Sequence, residues 1–297
     1  MQDKYVNPFT DFGFKKLFGE EPHKELLISF LNTLLPDKHQ IADLQYTRNE
    51  YQGVSSLDRK AIFDLNCMSP SGERFIVELQ KAKQNYFKDR SVYYATFPVQ
   101  EQAQRGDWDY QLAAVYTVGI LDFVFDEDKA NANDEVVHFI RLKNQHCEVF
   151  YDKLTFIYLT LPHFKKTLAE LETQQDKWFY IFRHLHELQD IPAALNEEVF
   201  LKLFDVAQIA CFNPAERQAY QDSLKYYRDL KNVTDTARDE GLEAGIEIGM
   251  ERGIERGREV GEREKALAIA RQLLDVLDDE TIALKTGLPL EVVRELR

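Results

Sequence analysis

The sequence predicts an α/β protein: a mixed sheet flanked by helices, followed by a helical cap and a long C-terminal helical tail. Three observations predict it. Residues 61–80 contain two runs of β-forming residues around a turn cluster, which is typical of a hairpin. Residues 110–125 are almost continuously apolar, as expected for a strand buried on both faces. Beyond residue 161, apolar residues recur at helical spacing.

The N-terminal elements are predicted from capping and periodicity. Residues 8–17 indicate a loop that leads into a short helix, with Thr10 or Asp11 as its N-cap. Residues 22–35 begin with Pro22 and carry leucine and phenylalanine at helical spacing, so we expect a core helix there. Residues 41–51 predict a strand that precedes the hairpin.

The hairpin has strands at residues 61–67 and 74–80, joined by the turn at residues 69–72. Because successive side chains in a strand point to opposite faces, a turn centred near Ser71 places Asp64 opposite Glu78, with Gln80 on the same face. A slip of one residue would move Asp64 to the other face.

Two facing carboxylates roughly 5 Å apart at Cβ repel one another, so an otherwise apolar hairpin needs something to offset that repulsion. A divalent cation can do so, because Mg²⁺ is held by one or two carboxylates together with water and phosphate oxygens. Gln80 could orient a metal-activated water through its amide. The alternative is an ordinary exposed hairpin face, with Asp64 or Glu78 paired to Arg74 or Lys60.

The segments after the hairpin complete the predicted core. Residues 84–106 indicate a basic, aromatic helix that Pro98 should kink or end. Residues 110–125, 135–142 and 154–161 predict three strands, and the scattered histidines do not indicate a histidine metal site. Residues 167–188, 197–212 and 215–233 are expected to form amphipathic cap helices.

The tail changes pattern at Gly241, where six tetrads carry glycine at every fourth position. A helix with six interior glycines loses roughly 5 kcal/mol relative to alanine, so it would depend on association through close backbone approach. A flexible spacer is the alternative interpretation. Residues 266–297 resemble a helix-turn-helix, but acidic residues accompany the arginines of its second helix, which favours a small helical hairpin for assembly.

Charge is unevenly distributed along the 297 residues. The net charge of −14 argues against a nucleic-acid partner, yet residues 1–105 are neutral, with 14 acidic and 14 basic side chains. The basic residues after the hairpin are compatible with phosphate contact. No apolar run is long enough to span a membrane, and three widely separated cysteines indicate a reducing cytoplasm.

Four motifs together resemble one family. They are Asp64 followed after thirteen residues by Glu78-Leu79-Gln80, the segment TDFGFKKLF at residues 10–18, the segment FKDRSVYY at residues 87–94, and the glycine tetrads. This ordered set resembles the Rpn (recombination-promoting nuclease, transposase-like) family of PD-(D/E)XK nucleases. Phe63 replaces the proline of the wider superfamily, and Gln80 replaces its lysine. The Rpn-like branch usually carries that glutamine.

The resemblance implies a restriction-endonuclease-like fold and a metal-dependent DNA endonuclease that promotes recombination. Asp64 and Glu78 would bind Mg²⁺, or another divalent cation such as Mn²⁺ or Ca²⁺, and Gln80 would complete the catalytic set. Asp11 is a secondary candidate for the metal face, with helix capping as its alternative role. The candidate phosphate-binding residues are Lys15, Lys81, Lys83, Lys88 and Arg90.

The predicted organisation is a nuclease-like core at residues 1–165, a cap at 166–235, the glycine tract at 236–265 and a helical hairpin at 266–297. Besides the endonuclease, the sequence leaves open a non-catalytic DNA-binding protein that retains the scaffold. A third possibility is a homo-oligomer that assembles through the tail. A nucleotide phosphohydrolase is disfavoured, because the sequence has no P-loop and no histidine cluster.

Overall fold

The computed structural model describes residues 3–36, 39–51, 61–103, 109–130 and 134–297. It divides into two units, Met1–Asn232 and Val233–Arg297. Lys60 and Gly106, which entered the predictions above, lie outside the described residues. Within the described residues, no helix combines the length and apolarity needed to cross a bilayer.

The first unit is built on a six-stranded mixed sheet, which confirms the predicted fold class. The strands are β1 (Gln45–Tyr46), β2 (Glu50–Tyr51), β3 (Ala61–Ile62), β4 (Leu65–Met68), β5 (Arg74–Gln80), β6 (Val115–Leu121), β7 (Val137–Lys143) and β8 (Val149–Thr160). The main sheet has the order β1-β4-β5-β6-β8-β7, and β2 pairs with β3 separately. Strands β5, β6 and β8 are parallel, and the other pairings are antiparallel.

The hairpin has the predicted register. Strands β4 and β5 pair Leu65 with Val77 and Cys67 with Phe75, and one further step of this register would place Asp64 opposite Glu78. The first strand is interrupted, however, because Asp64 lies between β3 and β4. Its backbone N–H donates to the Glu78 side chain instead of a strand partner.

The prediction of one strand over residues 41–51 was wrong, since that segment contains only the two-residue strands β1 and β2. The backbone N–H of Ile41 donates to the side chain of Asn32 at 2.7 Å. The start of the segment is therefore tied to the preceding helix and not to a neighbouring strand.

Most helices agree with the predicted pattern apart from their ends, but the short helix α4 was not predicted. They are α1 (Asp11–Phe18), α2 (Lys24–Asn32), α3 (Phe87–Gln100), α4 (Asp126–Ala130), α5 (Gln174–His184), α6 (Glu198–Ala207), α7 (Pro214–Leu273), α8 (Asp279–Thr286) and α9 (Leu290–Glu295). Helix α2 is shorter than predicted, because residues 21–23 form a 3-10 turn around Pro22. The glycine tetrads are helical and belong to α7.

The largest hydrophobic core lies between one face of the sheet and the helices packed on that face. Phe18 of α1 packs against Phe30 of α2 and against Trp178 and Phe182 of α5, with ring centroids 5.4 to 6.1 Å apart. Val77 and Val118 of the sheet belong to the same buried cluster. Because α1 is anchored in this core, the first turn of the helix has a fixed position beside the hairpin.

In the second unit, α8, α9 and the last turns of α7 enclose a small core of their own. Ala270, Ile282, Leu288 and Val293 are its buried members. Gly287 ends α8 with a positive φ of 72°, which glycine adopts without steric cost. The end of the chain therefore folds as two short helices, α8 and α9, that pack against the last turns of α7.

The start of α1 is tightly closed around Gly13. Thr10 is the N-cap: its Oγ1 donates to the carbonyl of Asn7 and accepts from the N–H of Gly13. A Cβ added at Gly13 would lie 2.2 Å from the Asn7 carbonyl oxygen. The segment at residues 10–18 therefore needs a residue without a side chain here.

We expect Gly13→Ala to lower the free energy of unfolding by about 1–3 kcal/mol, because the backbone must move to make room. Urea denaturation would measure the change. Lys225→Ala, at an exposed position of α7 outside the glycine tetrads, is the control. Alanine is the better helix former, so that variant should not be destabilised. Equal stability of Gly13→Ala and wild type would contradict the prediction.

Candidate active site

The hairpin brings Asp64 and Glu78 together through two backbone hydrogen bonds. The N–H of Leu79 donates to Asp64 Oδ2 at 2.7 Å, and the N–H of Asp64 donates to Glu78 Oε1 at 3.3 Å. Each carboxylate thus has one oxygen bound by a backbone N–H of the facing segment: that of Leu79 for Asp64, and that of Asp64 itself for Glu78. Among the described hydrogen bonds, the second oxygen of each carboxylate accepts none. The strand register therefore fixes both acids and leaves one oxygen of each for a ligand.

The pair is electrostatically unfavourable when both acids are ionised. Burial and the nearby charge of Asp64 raise the pKa of Glu78 from 4.5 to about 8, with Arg90 partly opposing the shift. Burial also raises the pKa of Asp64, and the hydrogen bond from Leu79 opposes that shift. Two partly buried carboxylates that resist ionising together form a site that a cation would stabilise.

The donor set fits a hard divalent cation with few protein ligands. Asp64 and Glu78 are oxygen donors, and Mg²⁺ is commonly bound by one or two carboxylates with its remaining ligands from water and phosphate. Across the part of the chain that the structure describes, no group of three or more His, Cys, Asp or Glu side chains could hold a metal. The two carboxylates therefore suit an ion that takes its other ligands from water and substrate. They do not suit a structural metal whose ligands all come from the protein.

Gln80 is buried and both ends of its amide are used. Its Nε2 donates to the carbonyl of Ala82 at 2.8 Å, and its Oε1 accepts from Arg90 Nη2 at 2.6 Å. Arg90 Nη1 also donates to Gln84 at 2.5 Å. One N–H and one lone pair of the Gln80 amide remain for a water. Arg90 thus links α3 to the end of β5.

Asp11, Lys15 and Asp64 line one cleft of about 340 Å³. Asp11 is not the N-cap, a role taken by Thr10, but lies in the first turn of α1 and pairs with Lys15 at 3.1 Å. Lys81 is close to the same acids. Burial lowers the pKa of Lys81, while the charges of Asp11 and Asp64 oppose that shift. The structure therefore groups two of the five predicted cations, Lys15 and Lys81, with the carboxylates.

Lys83 and Lys88 are placed elsewhere. Lys83 pairs with Asp126, and Lys88 pairs with Glu127 at 3.1 Å, so both cations face the short acidic helix α4. The ammonium of Lys88 also lies 4.8 Å from the ring centroid of Phe125. Unlike Lys81, these two lysines are partly neutralised by neighbours that lie about 40 residues away in the sequence.

The sequence analysis missed the contribution of α7 to this region. Tyr227 donates a hydrogen bond to Asp122 Oδ2 at 3.0 Å, and the N–H of Asp122 donates to the carbonyl of Gln80 at 3.0 Å. The ring of Tyr226 lies 5.5 Å from Lys81 Nζ. The signal that could have indicated this role is the helical spacing of the hydroxyl residues in residues 220–227.

The same helix holds the N-terminal segment. The hydroxyl of Tyr220 accepts from the N–H of Asn7 at 3.0 Å, and the hydroxyl of Ser223 accepts from the N–H of Phe12 at 3.1 Å. Glu216 pairs with Lys16 at 2.8 Å. The first turns of α7 therefore position α1, and with it Asp11 and Lys15, against the end of the hairpin.

Comparison with protein families gives one match. A model of the family described as PD-(D/E)XK nuclease family transposase matches residues 8–237, which include every residue of the candidate site. No curated protein and no solved structure matches the chain.

The raised pKa of Glu78 predicts how stability depends on pH. Between pH 4.5 and about 8 the folded state keeps a proton that the unfolded state has lost, so stability should fall as pH rises through this window. Thermal unfolding without divalent cations would show a shallower decline for Glu78→Gln than for wild type. At pH above 8 the variant should be the more stable protein.

Adding Mg²⁺ should raise the melting temperature of the wild type at this pH more than that of Glu78→Gln, because the ion stabilises the ionised pair. Glu127→Gln serves as an exposed control and should follow the wild type in both tests. Parallel pH profiles of wild type and Glu78→Gln would contradict the assigned environment of the pair.

Proposed function

Because the chain belongs to the PD-(D/E)XK nuclease family transposases, we propose that it is a metal-dependent DNA endonuclease that hydrolyses phosphodiester bonds. The observation that carries the proposal is the pairing of Asp64 with Glu78 at the end of the hairpin, where each acid keeps one oxygen without a described partner. We further propose that the cleavage serves recombination or transposition, as the family description suggests.

In this proposal Asp64 and Glu78 hold the cation, with Mg²⁺ the first candidate and Mn²⁺ or Ca²⁺ as alternatives. When bound, the ion supplies charge neutralisation of the phosphate and an activated water. The two backbone amides on Asp64 and Glu78 orient the carboxylates before substrate arrives. Gln80 directs its remaining amide hydrogen or lone pair to the attacking water, while Arg90 fixes the amide plane.

The predicted phosphate-binding residues divide into two groups. Lys81 and Lys15 are near the carboxylates, so they are the candidates for the phosphate being cleaved. Lys81 has no hydrogen bond or ion pair among the described residues, whereas Lys15 must share its charge with Asp11. Lys83 and Lys88 would have to break their ion pairs with Asp126 and Glu127 to bind a phosphate, so they are candidates only for phosphates flanking the one that is cleaved. Arg90 already donates hydrogen bonds to Gln80 and Gln84.

A non-catalytic DNA-binding protein with the same scaffold is the competing proposal. It retains the fold and the cationic residues but predicts binding without turnover. The retained carboxylate pair favours the enzyme, because the pair lowers affinity for phosphate unless a cation is bound.

The endonuclease proposal predicts that Asp64→Ala abolishes plasmid nicking in Mg²⁺, with a loss of at least about 100-fold, because one of two proposed metal ligands is gone. Gel electrophoresis of supercoiled plasmid would measure the rate. Asp205→Asn, an exposed acid on α6 with no described ion pair, is the matched control and should cleave normally. Equal nicking by wild type and Asp64→Ala, with removal of Mg²⁺ having no effect, would end the assignment.

We also propose self-association through the glycine tract of α7. Leu242, Ile246, Met250 and Ile254 form an apolar row that is 54–69% exposed. At the six tetrad glycines, an added Cβ would meet no described atom within 4 Å. A second helix could therefore approach this backbone closely and cover the row.

Full-length protein carrying Ile246→Lys and Ile254→Lys should have a lower mass by light scattering than wild type, since charges would face the partner helix. Glu247→Lys with Glu255→Lys is the control, because these glutamates follow the apolar residues Ile246 and Ile254 and belong to a different row of the helix. Its mass should stay at the wild-type value. A monomeric wild type would show that the row has another use.

A further inference from the structure

A small aromatic pocket lies next to the proposed catalytic strand, on the segment that joins β5 to α3. Its volume is about 250 Å³, and its lining includes Asn85, Tyr86, Phe87, Phe123 and Phe125. Sites for whole small molecules usually measure ~300–1,000 Å³. The pocket therefore suits one planar group of a larger substrate better than a complete cofactor.

Tyr86 is the unusual residue of this pocket. Its side chain is 79% exposed, and its backbone φ is +62°, a left-handed conformation that bulky residues rarely adopt. Its ring contacts no other aromatic ring among the described residues, and its hydroxyl has no described hydrogen bond. Glycine or asparagine would form this turn with less strain, so folding does not account for an aromatic ring here.

The floor of the pocket is apolar and well ordered by its own packing. Phe87 is buried, and Phe123 packs edge-on against Phe87 and Phe125, with centroids 6.1 and 5.6 Å apart. The Asn85 amide at the rim has no hydrogen-bond partner among the described residues. An aromatic wall, an apolar floor and an available amide together match a nucleobase, which has a π-face and a hydrogen-bonding edge.

The charges at the rim argue against a phosphate as the occupant. Lys83 and Lys88 are already paired with Asp126 and Glu127, and Asp89 adds a further negative charge to the lining. Stacking on Tyr86 does not need a free cation. The distinction matters, because stacking should depend much less on salt than a phosphate contact does.

The pocket is physically connected to the candidate active site. Arg90 donates to Gln84, which lines the pocket, and to Gln80 at the end of β5. A nucleotide beside the phosphate being cleaved could therefore place its base in the pocket. We propose that Tyr86 stacks on one unpaired base of the DNA substrate, so that the protein favours single-stranded or locally opened DNA; this inference rests on the proposed function.

The test uses the full-length protein without divalent cations, so that binding is separated from cleavage. Fluorescence anisotropy would compare a short labelled thymidine oligonucleotide with a duplex of the same length. We expect Tyr86→Ala to weaken binding of the single strand at least about fivefold, as for the loss of one stacked base. The duplex should be affected much less, and the salt dependence of single-strand binding should keep its slope.

Three further variants make the result specific. Tyr86→Phe keeps the ring and should retain the wild-type affinity. Tyr86→Gly relieves the left-handed backbone and should fold at least as stably as wild type, yet bind as weakly as Tyr86→Ala. Tyr110→Ala is the matched control, because Tyr110 is equally exposed at 79% and also has a positive φ of 60°. It precedes β6 and so lies towards the opposite end of the parallel strands from Gln80.

The proposal is overturned if Tyr86→Ala binds the oligonucleotide like wild type, if Tyr86→Phe loses as much as Tyr86→Ala, or if Tyr110→Ala loses equally. Failure of the nuclease assignment would look different. In that case Asp64→Ala would cleave like wild type, whatever the binding measurements on Tyr86 show.

Discussion

The arrangement depends on two acids that face each other across an antiparallel hairpin. Their mutual repulsion and partial burial disfavour ionisation of both, and the protein offsets this only in part, with one backbone N–H for each carboxylate. Replacing the pair with neutral residues would relieve the repulsion without altering the strand register. The repulsion between the two carboxylates is therefore the property that favours binding of a cation at this site.

A second constraint is the support of the hairpin by distant segments. The first turns of α7 hold Asn7 and Phe12 on one side and Asp122 on the other, and Asp122 in turn binds the carbonyl of Gln80. The family match at residues 8–237 extends from just before α1 to beyond these turns. The matched region therefore includes α1, the hairpin and the first turns of α7, which together surround the two carboxylates.

The charge distribution limits how the protein could recognise DNA in the proposed function. Residues 1–105 are neutral overall, and several of their cations are already paired with acids, as Lys16 is with Glu216 and Lys83 is with Asp126. Non-specific attraction to phosphate is therefore weak. Recognition would then rely on an ion shared with the substrate and on stacking, two interactions that act at short range and suit a protein of net charge −14.

Local patterns in the sequence determined the hairpin, its register and the buried strand β6, because alternation and turn residues specify which face each side chain occupies. They also predicted Asp64, Glu78 and Gln80 as neighbours. The structure places Asp64 beside Glu78, and Gln80 lies two residues further along β5. The partners of the cations were decided only by tertiary structure. Lys81 and Lys83 are two residues apart, yet one lies beside Asp11 and Asp64 while the other pairs with Asp126. Those contacts join segments far apart in the chain, and no local periodicity records which distant side chain will fold against which.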